Sequence, residues 1–135
     1  MLIEVNNNLF INAKNISFVR LRKNYLEFTE LGNESLEQFE ISDKGEKELR
    51  EFFKFDEDFI EVSFSQYENQ YINIRAISKA LIKEDKKDDE VILNVKLIND
   101  VNSWTELLSK ENALKIINEI REKIAKLKSE YVDHF

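Results

Sequence analysis

The segment FINAKNISFVR, residues 10 to 20, returns sixty-one positions later as YINIRAISKAL, residues 71 to 81. Ile11, Asn12, Ile16 and Ser17 recur as Ile72, Asn73, Ile77 and Ser78, while Phe10 becomes Tyr71 and Lys14 becomes Arg75. The echo begins earlier, since LIEV at 2–5 matches FIEV at 59–62. A chain of 135 residues that repeats itself this way is restricted to two like units. Neither unit can bury an apolar sheet face alone, so the two are expected to share a core.

The local pattern inside each unit is legible. ISFVRLRKNYLEFTEL is rich in β-branched and aromatic residues around a polar break at Lys23-Asn24, the mark of two strands and a tight turn. The second unit offers AISKALIKEDKKDDEVILNVKLI, with the break enlarged to a charged loop at 83–90. Gly32-Asn33 makes a two-residue hairpin turn into SLEQFEI, because glycine accepts positive φ. Asn99-Asp100 holds the equivalent place ahead of VNSWTELL.

Each unit then closes with a helix. Asp43 followed by Glu46 reads as a capping box ahead of Leu49, Phe52 and Phe53, which share one face. Ser109 caps the second helix, and proline is absent, so nothing interrupts either. The expected fold class is α+β: two tandem β-β-β-β-α repeats with antiparallel sheets packed around the helices, the second helix extended. Residues 1–58 form the first repeat with its join and 59–135 the second, together one globular domain. Along the extended helix Ala113, Ile117, Ile120, Ile124, Leu127 and Tyr131 are spaced 4, 3, 4, 3, 4. That rhythm fits a seam for a homodimer, or equally a helix laid over its own sheet.

Topology of this kind resembles the Whirly, PC4 and PUR-type modules, and the likeness covers nearly the whole chain. Members of that group bind single-stranded nucleic acid through open sheet faces, which is what the resemblance implies here.

Composition removes most chemistry. Cysteine is absent, so disulfides, thiolate metal sites and cysteine nucleophiles are excluded. Gly32 and Gly45 are the only glycines, too few for a phosphate-cradling loop or a nucleophile elbow. The one histidine, His134, sits next to the chain end, where no Ser-His or two-histidine constellation can be built on it. Asp85, Asp88, Asp89 and Glu90 alternate with Lys83, Lys86 and Lys87 and lack the spacing of a calcium loop. No export signal or apolar span is visible, so a cytoplasmic protein without cofactor, metal or enzymatic activity is expected.

Charge chooses between two binding classes. Residues 1–58 hold 8 basic and 13 acidic residues, and 59–135 hold 12 and 14, for a net −7. The leading expectation is an acidic protein-binding protein whose Glu27, Glu30, Glu34, Glu37 and Glu40 face a basic partner. Lys, Asn, Ile and Glu make 63 of the residues, a skew that suggests an AT-rich genome. An inhibitor of a basic nucleic-acid-handling protein, of phage or mobile-element type, fits that reading. The alternative is single-strand binding by Arg20, Arg22, Lys23, Tyr25, Arg75, Lys79 and Lys83. Strand alternation already sends Lys23 to the side opposite Arg20 and Arg22.

Overall fold

The computed structural model of the chain describes residues 2–33, 35–63, 67–84, 89–98 and 103–133, the last five through their backbone alone. It is an α+β protein. The first half comprises β1 (Leu2–Asn6), β2 (Leu9–Asn12), a 3₁₀ turn over Ala13–Asn15, β3 (Ile16–Arg22), β4 (Tyr25–Glu30), β5 (Leu36–Glu40) and α1 (Asp43–Phe55). The second comprises β6 (Phe59–Glu61), β7 (Asn69–Asn73), a 3₁₀ turn over Ile74–Ala76, β8 (Ile77–Glu84), β9 (Glu90–Leu97), β10 (Trp104–Ser109) and α2 (Lys110–Asp133).

Each half therefore carries five strands, not four. The echoed segment is two strands joined by a 3₁₀ turn in each half. In the second half the Asn73 side chain accepts from the Arg75 N–H at 2.9 Å, which tightens the corner.

The sheets do not follow the halves. β1 and β2 pair as a hairpin, β10-β9-β8 form a three-stranded sheet, and the five-stranded sheet runs β5-β4-β3-β7-β6, all antiparallel. Strands of both halves thus meet at β3 and β7, where Phe18 faces Ile72, Val19 Tyr71, Arg20 Gln70 and Leu21 Asn69. Alternation along β3 makes this sheet the partition between two cores. Val19 and Leu21 point into a cluster with Ile3, Val5, Leu49 and Phe53, under α1 and the β1–β2 hairpin. Phe18 points the other way, with Ile60 and Ile72, into a cluster completed by Val95, Trp104, Ile116 and Ile120.

The helices start where short-range chemistry places them, one residue earlier than the capping box suggests for α1. Ser42, not Asp43, is the N-cap: its hydroxyl accepts from the Gly45 N–H at 3.0 Å. Glu46 is drawn away to the β3–β4 turn, where its carboxylate accepts from the backbone N–H of Asn24, a residue held at φ 54°. The first turn of α1 lies on β1: the Ser42 N–H donates to the Val5 carbonyl at 2.8 Å. A Cβ on Gly45 would stand 2.7 Å from that same oxygen, so the close approach needs glycine. Ser109 caps α2 through the Asn112 N–H at 3.1 Å.

The dimer seam read from α2 is largely taken by the chain itself. Ile120 is buried with Ile116, which the seam omitted, and Ile117, Ile124 and Leu127 pack partly buried on the same core. The helix is fastened to the join by Lys123, whose ammonium donates to the Phe59 carbonyl at 2.9 Å. Lys126 pairs with Glu57 at 2.9 Å and holds that carboxyl below its usual range. The side chain of Tyr131 lies outside the described residues, as do Asn99-Asp100 and His134.

Asn73 is the polar keystone of the β3–β7 joint, buried and donating to the Ile16 carbonyl at 3.0 Å. Its repeat counterpart Asn12 is exposed. Asn73→Ala is expected to cost about 1–3 kcal/mol in urea unfolding, because it strands a buried carbonyl. Asn12→Ala should change stability by less than about 0.5 kcal/mol.

Candidate protein-binding site

Concave places among the described residues include three that gather the charged residues of interest. One, of about 960 Å³, runs along α1 and is lined by Lys23, Lys47, Arg50 and Lys54 together with Asp43, Glu46, Glu51 and Glu61. Its charges cancel in place. Arg50 donates to Glu46 at 3.0 Å and to Asn69, whose amide donates to Glu61 at 2.9 Å. Burial, then Glu61, pushes the Tyr71 phenol above its ordinary value, so it stays a neutral packing group beside Phe53.

A second cleft of about 370 Å³ lies between the five-stranded sheet and the end of the three-stranded one, lined by Phe18, Arg20, Glu27, Thr29, Leu97 and Trp104. Glu27 was expected to face solvent, and here the expectation fails: only 7% of it is exposed. It stands opposite Arg20 across β3 and β4 and lines the cleft whose far wall is Trp104. The Trp104 N–H donates to Gln70 at 2.8 Å, closing the cleft from the β7 side. Sequence alternation could not reveal this, since the covering strand comes from 77 residues away along the chain.

The basic residues are scattered. Arg20 approaches Glu27 at 4.0 Å and Glu68 at 3.9 Å, with its guanidinium over the Phe18 ring. Arg22 reaches the same Glu68 at 3.3 Å and covers Tyr25. Lys23 turns to the α1 groove on the opposite side, and Arg75 is held by Asp58 at 3.1 Å. Lys79 and Lys83 are exposed on β8, where Lys79 neighbours Lys96 of β9.

The acidic residues divide as well, and they make the third place. Glu30 and Glu37 line a small cleft of about 120 Å³ with all four residues of β2 and with Asn15, Ile16, Phe28 and Phe39. No β1 residue lines it, so it opens on the side of β2 away from its hairpin partner. Glu40 alternates to the other face of β5, and Glu34 lies outside the described residues. Partial burial, then the charge of Glu30 and a hydrogen bond with it, hold the Glu37 carboxyl above its ordinary value. Among the described residues no cation lies within ion-pair distance of either carboxylate. The two carboxyls thus share one cleft beside a strand that, among the described residues, pairs on one edge only.

No metal-ligand cluster occurs among the described residues, and no described helix is long and apolar enough to cross a membrane. Of the charged hairpin loop, residues 85–88 lie outside the described residues. No family model matches the chain, and searches of curated proteins and of solved structures return no match.

A raised carboxyl favours the fold when protonated, a contribution that is full below the ordinary glutamate range and lost as pH rises through the folded value. Glu37→Gln is therefore expected to stabilise the protein by about 0.2–0.5 kcal/mol at neutral pH, the scale of a solvent-screened like-charge pair. Below about pH 4 the variant and the parent should melt together.

Proposed function

We propose that the chain is a small acidic, non-enzymatic protein-binding protein whose receiving site is the cleft beside β2. The observation that carries the reading is the Glu30–Glu37 pair, sharing one cleft with no described cation, next to a strand edge open to pairing. A partner segment that adds to β2 as an extended strand gains main-chain hydrogen bonds, and a lysine or arginine on it relieves the carboxylate repulsion. Phe10, 57% exposed on β2, adds apolar surface for such a strand. The net charge of −7 steers basic partners towards the protein, and a nucleic-acid-handling protein with an exposed basic segment is one such class.

The dispersal of the cations speaks for this reading over single-strand binding. Backbone-tracking grooves need clustered positive charge, whereas Arg20, Arg22 and Arg75 each face a carboxylate and Lys23 lies on another side.

A synthetic peptide of alternating lysine and valine is the direct probe. Calorimetry is expected to show micromolar binding that weakens with salt and falls about tenfold or more in Glu30→Lys with Glu37→Lys. Binding unchanged in that double variant, or a tighter complex with single-stranded DNA or RNA than with the peptide, would overturn the reading.

A further inference from the structure

Among the described residues six strands pair on one edge only, β1, β2, β5, β6, β8 and β10, and two of them, β2 and β8, match in the repeat a pair of strands that do meet. β2 pairs only with β1, and β8 pairs only with β9. The segments equivalent to them in the other half, β7 and β3, pair with each other and form the joint of the five-stranded sheet. The echo aligns Phe10 with Tyr71 and Phe18 with Lys79, so the register of that joint carries over directly. Lys79 would face Ile11, Ala80 would face Phe10, and Leu81 would face Leu9.

β8 has the character of a strand whose partner is missing. Leu81 is 50% exposed and Ile82 39%, on opposite faces of an eight-residue edge. Both stand on an edge that also carries the exposed Lys79 and Lys83. Its counterpart β3, covered on both edges, buries Val19 and Leu21 completely.

We propose that β8 of a second copy of this chain is the strand that adds to β2, so that two copies close on each other through two identical β2–β8 joints. The proposal rests on the protein-binding reading of the β2 cleft and names its occupant. Within one chain the two edges do not meet, and a twofold pair satisfies both at once, since each copy supplies one β2 and one β8.

Charge supports the same occupant. The carried-over register sets Lys79 opposite Ile11, and residues opposite each other in a pair point to the same face. Ile11 lines the cleft that also holds Glu30 and Glu37, so this register brings Lys79 alongside that cleft. Its cross-strand neighbour Lys96 stands on the same face. Leu81 is placed beside Leu9, which already packs on the core under the hairpin. An acidic chain thereby presents a local basic strand to its own acidic cleft.

Sedimentation of the full chain is expected to give a dimer in the micromolar range that dissociates with salt. Lys79→Glu with Lys96→Glu should yield a monomer, as should Glu30→Lys with Glu37→Lys; all four positions are at the surface or its rim. Mixing the two double variants restores opposite charge at both joints and should restore a dimer. In the unmodified protein, hydrogen exchange at residues 9–11 and 79–81 should slow as concentration rises. A monomer at all concentrations overturns the proposal. If that monomer still binds the lysine–valine peptide, the β2 cleft stands as a protein site with another occupant, and if it does not, both readings fall. A dimer that ignores the charge reversals, or whose β2 and β8 amides exchange at the same rate at every concentration, also overturns it.

Discussion

The pairing of β3 with β7 is the contact on which the rest of the molecule depends. It joins a strand of the first half to a strand of the second, and so turns two small groups of strands into one sheet with two covered faces. Because β3 alternates, Val19 and Leu21 supply the core beneath α1 while Phe18 supplies the core beneath α2. Without that joint each half would expose one apolar face, and a sheet of two or three strands is marginal in water. Asn73 secures the corner where the joint ends, satisfying the Ile16 carbonyl and the Arg75 N–H with one side chain.

The same sequence has different fates in its two copies. Ser17 and Ser78 behave alike, their hydroxyls donating to the carbonyls of Thr29 and Lys96 across equivalent strands at 3.0 and 3.2 Å. Asn12 and Asn73 do not: one is exposed and the other buried. Phe10 and Tyr71 differ in the same way, the tyrosine stacked on Phe53 and the phenylalanine at the surface. What separates them is whether a strand of the other half lies alongside. This asymmetry leaves β2 and β8 with open edges, and it makes the repeat informative about binding as well as about folding.

Charge behaves similarly. The net value of −7 is a property of the composition, yet its effect depends on which carboxylates find cations. Glu27 and Glu68 are taken up by arginines, Asp58 by Arg75 and Glu57 by Lys126. Among the described residues Glu30 and Glu37 find no cation, and the Glu37 carboxyl is held above its ordinary value by burial and by Glu30.

The sequence by itself determined the α+β class, the strands on either side of the Lys23-Asn24 turn, the Ser109 cap and the exclusion of cysteine, glycine-loop and histidine chemistry. Those follow from local rules: side-chain alternation, caps, turn residues and the residue types present. Of the glutamates it singled out, Glu27 is buried, Glu40 lies on the other face of β5, and Glu30 and Glu37 line the cleft beside β2. The tertiary structure alone decided the fifth strand in each half, the division of sheets across the repeat, the covering of Glu27 and the commitment of Ile120 to the chain's own core. Each of those depends on which distant segment lies against a given face. Long-range pairing is set by the total burial of both halves together, and no window of a few residues contains that sum.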